Sequence, residues 1–145
     1  MTKRILVLGF VATLAAGAAA EAAAPGKRFE WTTRSAEAKQ GLLELQQRIE
    51  SFQFGAETIA AAQKVVAADP DFAMGAYYLS AVTPPPDNEK HLEKSVVLSK
   101  KASDGERRFI DAMVVARANQ GADFQKAIPA LEKLAADYPG ERLVQ

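Results

Sequence analysis

Two stretches of this chain repeat one another, and that recurrence limits the folds open to it. ETIAAAQKVVAADPDF ends on a proline turn, and KAIPALEKLAADYPGE ends on another. Thr58, Ala62 and Val65 lie twelve, eight and five residues before Pro70; Ala127, Leu131 and Leu134 lie at the same distances before Pro139. Residues at this spacing share one face of a helix, and a proline forbids the helix from running on through it. The two prolines are 69 residues apart, close to two periods of roughly 34 residues, the length of one helical-hairpin repeat. Helical pairs recurring at such a period bury their apolar faces by stacking on their neighbours.

The rest of the chain reads as helix with no competing strand pattern. Ser35 is placed to cap a first helix, with Glu37 in its first turn and Leu42, Leu45 and Ile49 at helical spacing up to Phe52, Phe54 and Gly55. A second helix runs from about Ala56 to Ala68. Asp71 is expected to cap a third, FAMGAYYLSAV, apolar nearly all round and so sandwiched between neighbours. The run Pro84-Pro85-Pro86 ends it. Asp87 or Asn88 caps a fourth helix reaching about Lys101, with Leu92, Val96 and Ser99 or Ser95 and Leu98 facing inward. Ser103 and Glu106 have capping-box spacing for a fifth, ERRFIDAMVVARAN, ending near Gly121. Asp123 caps a sixth from Phe124 to Asp137, and Pro129 inside it allows a kink or a later start.

Ahead of the helices, Lys3 and Arg4 precede an uncharged apolar run from Ile5 that ends at Glu21, with Ala18 and Ala20 in A-x-A spacing. This is the layout of a cleavable secretory signal peptide, and the run is short for a stable membrane span. Cleavage is expected after Ala20, giving a signal peptide at 1–20, a linker at 21–34 and helical repeats at 35–145. The expected location is periplasmic or secreted. An exported chain without cysteine has no disulfide framework and no thiolate chemistry, so packing alone must stabilise it. Loss of Lys3 and Arg4 turns 18 basic and 18 acidic residues into 16 and 18, a net charge of −2. A nucleic-acid ligand calls for a basic stripe that this balance does not supply.

GADFQKAIPALEKLAADYPG, a glycine turn, an aromatic, small Ala127, large apolars and a closing proline, resembles the tetratricopeptide-repeat family, as does DPDFAMGAYYLSA. The likeness covers about Ser35 to the end. It departs from the family pattern at Gln46, where a small residue is expected, in a short middle unit, and at Ala122, which reads as an insertion. The resemblance implies an all-α fold of antiparallel helix pairs stacked as a right-handed α-solenoid: about three pairs and the start of a fourth at ERLVQ, as in the N-terminal part of a longer array. It implies a non-catalytic protein-interaction scaffold without cofactor, gripping a peptide or helix in a concave groove lined by first helices. Carried onto this chain, the groove comprises Leu43, Gln47 and Glu50, then Met74, Tyr77 and Ala81, then Ala112, Ala116 and Asn119. With Glu50 its single acid, it would suit an apolar segment with a basic residue beside it. A non-catalytic module of a longer envelope enzyme, and a structural module that self-associates through an open C-terminal end, are the alternatives.

No residue pattern supports catalysis. His91 stands without a second histidine or a cysteine, no serine lies in a G-x-S-x-G elbow, and there is no glycine-rich phosphate loop. Asp69 with Asp71 and Glu89 with Glu93 read as helix caps and wet faces. Lys100-Lys101 and Arg107-Arg108 read as solubilising helix ends. Phe29 with Trp31, Phe52 with Phe54 and Tyr77 with Tyr78 read as packing aromatics.

Overall fold

The computed structural model describes residues 26–144, so the expected signal peptide, its cleavage point at Ala20 and the first linker residues lie outside the described part. Six α-helices follow in order among the described residues, with no strand: α1 (Ala36–Glu50), α2 (Ala56–Ala68), α3 (Ala73–Val82), α4 (Asp87–Ser99), α5 (Asp104–Arg117) and α6 (Phe124–Asp137). Short 3-10 segments cover Ala118–Gly121 and Arg142–Val144. The helices pack as α1 on α2, α3 on α4 and α5 on α6, with α2 on α3, α4 on α5 and α3 on α5 joining the pairs. No described helix is long and apolar enough to cross a membrane.

The recurrence picks out buried positions. Thr58, Ala62 and Val65 are the buried residues of α2, and Ala127 and Leu134 are those of α6, with Leu131 partly buried against the same core. Helix α3 is apolar around its circumference, and every residue from Ala73 to Ser80 is buried. Helices α2, α4 and α5 all pack against it, so only its C-terminal end, at Ala81, meets solvent. The hydroxyls this burial traps bond to backbone within their own turns: Ser80 Oγ donates to Tyr77 O at 2.6 Å, Ser95 Oγ to Leu92 O at 2.8 Å and Ser99 Oγ to Val96 O at 2.9 Å. On α4 both inward sets named from the sequence contribute. Ser95 and Ser99 are buried, while Leu92, Val96 and Leu98 pack partly against the core.

Two of the expected caps form as side-chain bonds. Ser35 Oγ accepts from Ala38 N at 3.1 Å, and Ser103 with Glu106 forms a reciprocal capping box. Three others do not. Helix α3 is entered from Phe72 with no side-chain cap, because Asp71 is held in a turn in which its own N–H donates to Asp69 Oδ1 at 3.0 Å. Pro86 occupies the cap position of α4, so Asp87 becomes the first helical residue, where an acid suits the dipole. Asp123 occupies the N-cap position of α6, as expected, but its side chain makes no cap bond; its carboxylate receives Asn119 Nδ2 and Lys126 Nζ, each at 2.7 Å. Helix α5 stops at Arg117, earlier than expected, because Asn119 and Gln120 take positive φ angles of 52° and 59°. Helix α6 begins at Phe124 despite Pro129, which sits in its second turn.

Phe52 and Phe54, expected from the sequence to be packing aromatics, instead stand in the α1–α2 connection at 85% and 65% exposure, because the turn that ends α1 holds them outside the core. Gln53 N bonds back to Arg48 O at 2.9 Å and Phe52 N to Ile49 O at 3.0 Å, the paired bonds of a Schellman C-cap. That motif needs a left-handed residue, and Phe52 supplies it at φ 56°, where glycine is the unstrained choice. A side chain in this region costs roughly 1–2 kcal/mol, and the exposed Phe52 ring recovers little of that by packing. Phe52→Gly is therefore expected to raise the free energy of unfolding by about 1 kcal/mol after the entropic penalty of glycine, measured by urea denaturation.

Candidate functional site

The segment before α1 crosses the molecule in extended form and touches all three junctions that follow the even-numbered helices. At the α2–α3 turn, Thr33 Oγ1 donates to Asp69 Oδ2 and accepts from Ser35 N at 3.1 Å. At the α4–α5 turn, Glu106 Oε2 accepts from Thr32 N at 3.1 Å, from Thr32 Oγ1 and from Ser103 N at 3.2 Å, while Ser103 N also donates to Thr32 Oγ1 at 2.9 Å. After α6, Glu141 Oε2 accepts from Phe29 N at 3.2 Å, and Gly140 N donates to Lys27 O at 3.0 Å. Chain direction along this strap, from Thr33 back to Lys27, thus follows the order of the three turns. The stretch read as a linker from sequence is, from Gly26 onward, a fixed part of the fold.

Apolar contacts set its register. The Phe29 ring is buried between Tyr138, edge to face at 4.9 Å, and Phe109 at 6.2 Å. Gly105 makes the slot, since a methyl group on it would overlap the Phe29 ring. Gly140 likewise meets Gly26 backbone to backbone, with no room for a side chain. Trp31 packs on Phe72 at 6.1 Å, and Lys27 Nζ lies 4.4 Å above the Tyr138 ring.

Between this strap, α1 and the C-terminal turn lies a hollow of about 320 Å³. Arg28, Phe29 and Trp31 come from the strap, Lys39, Leu43, Gln46 and Glu50 from α1, and Glu141, Arg142 and Leu143 from the far end of the chain. Arg142 Nη2 bonds to Glu50 Oε2 at 2.8 Å and brings the first helix against the last turn. Gln46, the residue that departs from the family pattern, donates through Nε2 to Tyr78 Oη at 3.2 Å. Burial pushes the Tyr78 hydroxyl well above its ordinary range, with the Gln46 bond opposing, and pushes Tyr77 up to about 12 with Arg117 opposing. Both rings are buried, Tyr77 stacked edge to face on Tyr78 and on Phe109, each at 5.4 Å.

The nine residues carried over from the family groove do not form one surface. Leu43 and Glu50 line the hollow together. Gln47 is exposed over a separate depression with Glu44, Arg48, Ser51 and Gln53. Ala81 and Asn119 are exposed elsewhere. Met74, Tyr77, Ala112 and Ala116 are core residues, 0%, 5%, 4% and 3% exposed. Phe109 packs on Tyr77, and α2, α4 and α5 surround α3, which is why Met74 and Tyr77 cannot be gripped. The hollow's other walls were missed because the strap read as linker and the last residues as a fourth unit. The signal available was Phe29-x-Trp31, two large aromatics in a segment otherwise without pattern.

The remaining candidates behave as ordinary surface. Arg107 pairs with Asp104 at 2.7 Å, and Arg108 pairs with Asp137 at 2.7 Å and Asp104 at 3.3 Å. The bond from Arg108, with Arg107 beside it, holds the Asp104 carboxyl below its ordinary value. His91 is half-buried on α4, and among the described residues no three acids, histidines or cysteines gather as a metal-binding group. Comparisons with family models, with curated proteins and with solved structures each return no match.

Glu106 joins the strap to the capping box of α5, and it is fully buried. Its truncation strands several donors at once, each buried bond to a charged group being worth roughly 1.5–3 kcal/mol. Glu106→Ala is expected to lower stability by about 2 kcal/mol or more, with Glu106→Gln losing less, as read from urea-unfolding midpoints.

Proposed function

We propose that this chain is an exported, non-catalytic binding scaffold of the tetratricopeptide type, which holds an extended segment of a protein partner in the hollow between strap, α1 and the C-terminal turn. The observation that carries the reading is the hollow itself. It is concave, bordered by the first helix and both ends of the described chain, and lined by apolar and charged groups together. That is the make-up of a recognition site. Leu43 is 48% exposed there, whereas its neighbours Leu42 and Leu45 are buried. The recurrence ending at Pro70 and Pro139, the burial of its matched positions and the packing of α3 on both α2 and α5 support a stacked-hairpin solenoid. The arrangement of Lys3, Arg4, the apolar run and Ala20 supports export.

A panel of fluorescently labelled extended peptides with apolar cores tests this by anisotropy. Some peptides are expected to bind, and Leu43→Gln is expected to weaken them about tenfold, the effect of losing one central apolar anchor. Val97→Gln, at an equally apolar but solitary exposed position on α4, should leave binding unchanged. Failure of every peptide to bind, or equal loss in both variants, overturns the proposal.

A further inference from the structure

We infer that the hollow selects an apolar segment carrying acidic side chains, an inference that rests on the binding role proposed above. Three cations, Arg28, Lys39 and Arg142, and two carboxylates, Glu50 and Glu141, line the hollow. Both carboxylates are already committed. Glu50 is bound to Arg142 at 2.8 Å. Glu141 is buried and accepts from Phe29 N at 3.2 Å and Leu143 N at 3.4 Å. Arg142 is spent on Glu50, and Lys27, the next cation along the strap, sits over the Tyr138 ring. Arg28 and Lys39 are left: both are exposed, both line the hollow, and neither makes an ion pair or side-chain hydrogen bond among the described residues. The nearest uncommitted acids in sequence, Glu30 and Glu37, do not line it.

The charge a partner meets is therefore positive, although Glu50 taken alone points to the opposite sign. The two cations come from different elements, Arg28 from the strap and Lys39 from α1, with Leu43 and Trp31 completing the lining beside them. A segment that seats an apolar side chain on Leu43 and Trp31 brings its neighbouring carboxylates towards Arg28 and Lys39. Arg28 offers a planar donor fork suited to a carboxylate, and Lys39 a point charge. Such exposed pairs act mainly through selectivity and rate of encounter, and each adds modestly to affinity.

The experiment measures anisotropy for three peptides with the same apolar core and flanks of Glu, Gln or Lys. Two exposed pairs favour the Glu peptide by about fivefold over the Gln peptide, and that advantage disappears in about 0.5 M salt. The double variant Arg28→Glu/Lys39→Glu, both positions being exposed and its fold checked by circular dichroism, is expected to prefer the Lys peptide. Equal binding of the three peptides overturns the acidic preference and leaves the binding role intact. Tighter binding of the Lys peptide to the unaltered chain overturns it in favour of Glu50. An acidic preference that survives in the double variant places the selecting charge elsewhere and also overturns it. Only the failure of all three peptides to bind removes the binding role as well.

Discussion

The carboxylate of Glu106 is where the architecture is tied together. It caps α5 from within, as the third residue of a capping box, and the same oxygen receives the backbone and hydroxyl of Thr32 from the other end of the chain. A buried carboxylate is costly without donors, and all of those it has converge on Oε2 while Oε1 is buried without a partner, so the strap and the start of α5 depend on that one oxygen. The other two turns repeat the device, with Asp69 taking Thr33 and Glu141 taking Phe29. Three successive helical pairs are thereby laced by one extended segment, in a chain that has no cysteine with which to staple them.

The strap decides which faces of the helices are covered. By filling the slot over Gly105 with Phe29, it places an aromatic layer of Phe29, Phe109 and Tyr138 beside Tyr77 and Tyr78. The face of α3 that a repeat groove would offer becomes interior, and Met74 and Tyr77 become core. The Glu50–Arg142 bond then draws the C-terminal turn against α1. Between these parts lies the hollow, with Arg28 and Lys39 among its lining residues.

Much of the fold was legible in the residues. The spacing before Pro70 and Pro139 identified buried faces on α2 and α6, Ser35 and the Ser103–Glu106 box marked helix starts, and an all-round apolar α3 announced its burial. Asp71 and Asp87 are displaced from the cap positions, and Asp123 holds its position without a side-chain cap bond; each acid had a local alternative partner or position, which composition does not rank. The site was legible only in Leu43 and Glu50. Its other walls depend on contacts spanning more than 90 residues, such as Phe29 with Glu141 and Glu50 with Arg142, and no local period encodes those. The pairing of Glu50 was hidden for the same reason, since Glu50 reads as free until Arg142 is seen beside it.

Amide hydrogen exchange tests most directly whether the strap is an integral part of the core. The Thr32 and Phe29 amides, which lie outside any helix, donate to Glu106 and Glu141. If the three junctions are laced as described, these two amides exchange as slowly as those in the middle of α5, through global unfolding. Exchange of both at rates typical of an open loop, while α5 stays protected, would contradict the account.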